Sequence, residues 1–362
     1  MLLALLMLGL GACAPVATKP QQKIAAASQS LLWPPPPDQP RFKFETVLQS
    51  AADITVETDS EQWQRSIQGI RGPSDALVLD KPSAIASRAG RVYVAEPSAS
   101  AITVFDASRK RLFRFGLREP NVLKRPQALA LDDEGKVYVL DPKLRKVMVF
   151  DPIGLFLHSI PLGRNFSNPV GLAVQGDGKI VHVVDRGNVD QDDHKVVALA
   201  PDGTERFRLG PRGKGPGQFN IPLAAAVAAD GTLYVVDAGN FRVQAFAANG
   251  DFKFQFGAAG TGIGLFSRPR AIALDRDGNI YVADGNFNNV QIFSSSGQLL
   301  MPLGRLSHDP GPGNYALIAG VAIDETGRLY VLDQYFKKVE VFRWLGDDGA
   351  RQKMASQALM QK

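Results

Sequence analysis

Apolar residues between positions 80 and 345 fall in short runs of about four or five, split by turns rich in Gly, Asp and Asn. One run recurs six times: a ring, two apolar residues, then an acid. It reads Tyr93-Val94-Ala95-Glu96, Tyr138-Val139-Leu140-Asp141 and His182-Val183-Val184-Asp185. It returns as Tyr234-Val235-Val236-Asp237, Tyr281-Val282-Ala283-Asp284 and Tyr330-Val331-Leu332-Asp333. The steps are 44 to 52 residues. A repeat near this period marks an array in which each unit buries its faces on its neighbours.

The fourth unit shows the pattern within one period. Apolar Ala224 to Ala228, Leu233 to Asp237, Val243 to Ala247 and Phe252 to Phe256 are separated by Asp230-Gly231, Ala238-Gly239-Asn240-Phe241 and Asn249-Gly250. Gly, Asn and Asp accept the backbone angles of tight hairpins at little cost. Four short strands per period predict a blade, and six blades closing on one another predict a propeller. The expected fold is therefore all-β: a six-bladed β-propeller of four-stranded antiparallel blades, spanning residues 41–346.

The last unit is one strand short. Gly320 to Ile323, Leu329 to Asp333 and Val339 to Phe342 read as strands, and the chain turns polar after Trp344. Arg41 to Val47 alternates polar and apolar residues, as a strand with one buried face does. We expect it to supply the missing outer strand, because closure removes exposed sheet edges. A short helix is expected at Glu61 to Ile70. Residues 347–362 read as a polar tail.

The N-terminus carries an address. Leu2 to Leu10 is an apolar run with the length of a signal-peptide core, too short for a membrane span. Leu10-Gly11-Ala12-Cys13 resembles a bacterial lipobox, although no Lys or Arg precedes the run. The resemblance implies that residues 1–12 are removed and that Cys13 is lipidated, anchoring the protein to a membrane. Buried acyl chains contribute about 0.8 kcal/mol per methylene. Ala14, where an inner-membrane retention signal has Asp, favours the outer membrane of a cell envelope. Residues 13–40 read as a tether, and Trp33-Pro34-Pro35-Pro36-Pro37 favours extended polyproline II. Cys13 is the single cysteine, so no disulfide forms within the chain.

The units resemble NHL repeats. The match is strongest in Gly210 to Phe219, with Gly213, Gly215, Gly217 and Gln218, followed by Tyr234 to Val243. It returns in Gly257, Gly260, Gly262, Gly264 and Phe266 before Arg268-Pro269. The tether and lipobox add a likeness to bacterial envelope lipoproteins that carry such a propeller. The resemblance implies the fold and says little of chemistry.

Charge narrows the partners. Lys and Arg number 41 against 36 Asp and Glu, a formal charge of +5 without the strong local basic run of a nucleic-acid binder. The six recurring acids are too regular for a catalytic site. Either each accepts loop amide hydrogens, or it pairs with a base five residues on, such as Lys146, Arg242 or Lys338.

A second set, Lys81, Arg125, Arg268 and Arg270, stands at the starts of the innermost strands. These bases are expected to ring one mouth of the axial channel, either paired with the nearby acids or binding an anion. A third candidate is the longest break in the repeat, Arg186 to His194, with Asp190, Asp192 and Asp193. Such a loop is either a solvated acidic turn or a contact for a partner or calcium, though no EF-hand spacing is present. His158, His182, His194 and His308 form no obvious zinc set. We therefore expect no cofactor, with calcium as the exception to test. The leading expectation is an envelope module that binds or scaffolds a protein, glycan or anion. The alternative is a metal-dependent hydrolase or lyase acting in the channel.

Overall fold

A computed structural model describes residues 31–54, 67, 78–188 and 190–346. The signal segment, Cys13, the tether up to residue 30 and the C-terminal tail lie outside the described residues. So does the expected helix at 61–70, except Ile67.

Six antiparallel sheets form the blades of a propeller. Blade one is Ala84–Arg88, Arg91–Glu96, Ala101–Asp106 and Arg111–Phe115. Blade two is Ala128–Leu131, Val137–Asp141, Lys146–Phe150 and Phe156–Pro161. Blade three is Pro169–Val174, Val181–Asp185, Lys195–Leu199 and Glu205–Leu209. Blade four is Pro222–Val227, Leu233–Asp237, Arg242–Phe246 and Phe252–Phe256. Blade five is Pro269–Leu274, Ile280–Asp284, Asn289–Phe293 and Leu299–Leu303. Blade six has Ile318–Ile323, Arg328–Asp333 and Lys338–Trp344 from the C-terminal end of the repeat region.

The recurring run is the second strand of each blade. Its residues are buried at every position in blades two to five, which explains a continuous apolar run instead of an alternating one. Both faces of each blade meet a neighbour. The core is accordingly divided into six clusters, one between each adjacent pair of blades. Outer strands meet water, and Phe252–Phe256 is exposed or half-buried throughout.

The ring closes as expected. Phe42–Leu48 pairs antiparallel with Lys338–Trp344 and forms the fourth strand of blade six. Phe42 and Phe44 enter the core between blades five and six. Glu45 adds ion pairs to Arg328, at 2.7 Å, and to Arg343. The sheet also begins earlier than the expected boundary at Arg41. Leu32–Trp33 pairs with Phe42–Leu48 as a fifth strand, because Leu32 is apolar enough to bury and Trp33 packs against the same core.

The glycine-rich loops before blades four, five and six are held from the third strand. Gln244 Oε1 accepts the Gly217 N–H at 3.0 Å, and Gln291 Oε1 the Gly264 N–H at 2.7 Å. Glu340 Oε2 takes the Gly313 N–H at 2.9 Å. In each case a loop amide is spent on a side chain of the propeller itself.

His182 replaces the repeat tyrosine of blade three. It is buried against Phe207, with ring centroids 5.9 Å apart, and its Nδ1 has no partner among the described residues. Burial lowers its pKa to about 4. An unfolded His titrates near 6.5. Between these values the unfolded chain binds more protons, so stability falls as pH drops through that window, by roughly 1.4 kcal/mol per pH unit. We expect His182→Phe to remove this component. Urea unfolding of wild type and variant should diverge by about 2–3 kcal/mol between neutral pH and pH ~4. A stability difference that does not change with pH would show that His182 is not the acid-sensitive group.

Candidate functional site

The six acids are buried, and each braces the entrance to an inner strand. Asp284 accepts the N–H groups of Ser267 and Arg268 at 2.8 and 2.9 Å, and those of Asn286 and Phe287 at 2.9 and 3.1 Å. Asp141 treats Lys124, Arg125, Lys143 and Leu144 the same way. Glu96 takes the Asp80 amide, Asp185 those of Ser167 and Asn168, Asp237 that of Asn220, and Asp333 those of Ala316 and Leu317. Amide acceptance thus recurs in all six blades. Of the expected pairs five residues apart, Arg242 Nε meets Asp237 at 2.8 Å. Lys146 is exposed, and Lys338 pairs with Glu340 instead.

Bracing gathers the inner-strand entrances on one face. A cavity of about 260 Å³ lies on the axis, walled by the inner strands of all six blades. Three arginines line it: Arg186, Arg268 and Arg270. Arg186 and Arg268 are exposed, so the cavity opens to solvent there. No Asp or Glu is among its lining residues.

Two of the four expected bases are therefore brought to the axis. Lys81 and Arg125 are exposed and do not form part of the wall. Arg186, expected only as the first residue of the blade-three loop, joins the basic set at the axis, and its sequence carried a signal for this. It follows the recurring acid, where the other blades have Pro97, Pro142, Ala238, Gly285 and Gln334. With the Asn168 carboxamide turned to accept, Arg186 donates to its oxygen from Nε at 2.8 Å and Nη2 at 3.1 Å.

Arg270 occupies a β-bulge. The pairing register passes from Pro269 to Ala271, leaving Arg270 outside the ladder. A bulge bends the strand and re-aims the extra side chain. Gly285 leaves room for it, since a Cβ there would stand 2.5 Å from Arg270 Cδ. Burial, and after it the charge of Arg268, lowers the Arg270 pKa. Its guanidinium has no hydrogen bond or ion pair among the described residues.

The blade-three insertion folds onto its own surroundings. Asp193 Oδ1 accepts the Asn188 N–H at 2.9 Å, and its carbonyl accepts from Lys195 Nζ at 3.2 Å. Lys195 Nζ also pairs with Asp185 at 3.2 Å. His194 is buried and accepts the Ile221 N–H on Nδ1 at 3.1 Å, tying the loop to the entrance of blade four. Asp190 and Asp192 are exposed. Among the described residues no group of three or more His, Cys, Asp or Glu side chains is arranged to hold a metal ion.

Comparison with known proteins bears on this geometry. The NHL repeat family matches residues 219–246 and 266–293, within blades four and five. Blades four and five carry NHL repeats. No curated protein matches the chain in sequence. Solved structures resemble the propeller in fold. A protein of unknown function from Bacteroides thetaiotaomicron VPI-5482 is 15% identical with a TM-score of 0.60, over 82% of this chain and 75% of that one. A streptogramin B lyase is 14% identical with a TM-score of 0.54, over 73% and 94%. Virginiamycin B lyase from Staphylococcus aureus is 14% identical with a TM-score of 0.54, over 83% and 99%. At such identities the likeness is one of fold, and the lyase activity named for those proteins stays with them.

Proposed function

We propose that the NHL propeller is a binding module whose axial mouth takes a small oxyanion. One observation carries this reading: Arg186, Arg268 and Arg270 line a single cavity whose wall contains no carboxylate. Guanidinium groups are always charged and suit carboxylate or phosphate oxygens. Among the described residues no acid neutralises Arg270, so an incoming anion offsets the cost of burying its charge and the repulsion of Arg268 together. We further propose that lipid on Cys13 holds the module at the outer membrane, where Asp190 and Asp192 face a protein or glycan partner.

The test is calorimetric titration of the full chain with inorganic phosphate, pyrophosphate and citrate. Saturable binding of at least one is expected, weakened by added salt. Arg270→Ala should weaken it tenfold or more, with the thermal midpoint kept near wild type. No saturable binding by any of these anions or their organic esters would overturn the proposal.

A further inference from the structure

The chemistry of the collar around Arg270 says more about the ligand than its charge. The bulge seen at Arg270 recurs at the same place in three other blades. The register skips Val170 in blade three, Leu223 in blade four and Ala319 in blade six. All four bulge residues line the axial cavity, and all are half-buried. Ser83 and Gln127 hold the equivalent place in blades one and two, each following the entrance proline, and line the cavity too.

The six-fold ring is thus chemically lopsided. Blade five offers a guanidinium, and its two neighbours offer Leu223 and Ala319. Blade three adds Val170 and Arg186 to the same wall. A ring built only to hold an inorganic ion would surround it with donors on all sides. Here the backbone device that re-aims a side chain to the axis presents apolar groups in three of its four uses. Apolar surface left half-exposed in a pocket gains by covering it, at about 25 cal/mol per Å².

Size sets the scale. The cavity of about 260 Å³ is near the lower bound of ligand pockets, ~300–1,000 Å³. At about 30 Å³ per water it holds roughly nine. That admits one charged group with a ring or a short branched chain, not a polymer.

We infer that the ligand is a small oxyanion bearing an apolar group, its charged end on Arg268 and Arg270 and its apolar end against Leu223, Val170 and Ala319. This rests on the axial anion site proposed above. The charged end sets orientation and the collar sets preference among anions.

Paired probes test it on the full chain by calorimetry: inorganic phosphate against phenyl phosphate, and acetate against benzoate. The aryl member of at least one pair should bind tenfold or more tighter than its partner. The pair with the higher affinity identifies the oxyanion as phosphate or carboxylate. Leu223→Ser and Val170→Ser should each shrink the aryl preference, taken as the ratio of aryl to parent-anion affinity in the same variant, to under threefold. Two variants on different blades guard against a local folding defect in either. If phosphate or acetate binds and the aryl forms bind no tighter, the collar inference fails and the anion site stands. The collar inference fails equally if the preference persists in both serine variants. If none of the four probes binds, the collar inference fails, and if pyrophosphate and citrate also fail to bind, the anion site fails with it.

Discussion

Deleting residues 31–48 is expected to abolish the cooperative unfolding transition, and Phe42→Ala alone to cost about 3–5 kcal/mol. Both effects come from the closure. Phe42 is 0% exposed and packs edge-on to Tyr281 and Trp344, with ring centroids 6.4 and 5.0 Å apart. Replacing it with Ala leaves a cavity in the core between blades five and six that the surrounding strands cannot fill. The deletion goes further. It bares the edge of Lys338–Trp344, a seven-residue strand whose first five residues are buried. Such an edge is a template for pairing between chains. It also removes Phe44 and Leu48 from two inter-blade cores. Urea unfolding followed by far-UV circular dichroism, with light scattering for association, measures both variants. A deletion variant that unfolds cooperatively at the wild-type midpoint would mean that the N-terminal strand is dispensable to the ring.

The second large effect is expected at a buried pair in blade six. Lys338 and Glu340 have side chains 1% and 0% exposed and are bonded to each other. Lys338 Nζ also donates to the carbonyls of Pro310 and Gly311 at 3.2 and 3.1 Å. Glu340 Oε2 accepts from the Gly313 N–H and from the Tyr315 hydroxyl, the latter at 2.7 Å. Burial pushes the Glu340 carboxyl up, while Lys338, Tyr315 and the Gly313 amide pull it down. Removing one member leaves the other as an uncompensated buried charge, which costs about 3–5 kcal/mol.

Blade five braces its loop without charge, through Gln291, which accepts the Gly264 N–H at 2.7 Å and donates to the Leu265 carbonyl at 2.8 Å. Glu340→Gln alone and Lys338→Asn alone should therefore each destabilise by about 3 kcal/mol or more. The double variant should recover most of that loss, because it leaves no unpaired charge in the core. Urea midpoints of the three variants close the cycle. Additive losses in the double variant would show that the two side chains act independently.

These cases mark how far the chain could be read before its fold was known. Six blades and the closing strand at Phe42–Leu48 were legible, since strand period, turn residues and burial on both faces leave direct traces in residue order. The acids were half legible. Their regularity spoke against catalysis, but choosing between amides and bases required the loop backbones. Lys338 shows why: it lies five residues after Asp333 and turns to Glu340, two residues further along the same strand.

The candidate site was legible only in part. Arg268 and Arg270 reach the axial wall, while Lys81 and Arg125, at comparable entrances, do not. A one-residue bulge decides where Arg270 points, and bulges depend on strand pairing that residue order alone does not display. Arg186 comes from the blade-three loop, whose path is set by Asp193, Lys195 and the contact of His194 with Ile221. Periodicity is a local property, and it sufficed for strands, blades and closure. The cavity and its lopsided collar arise where six separate segments converge, so their chemistry emerges only from the assembled ring.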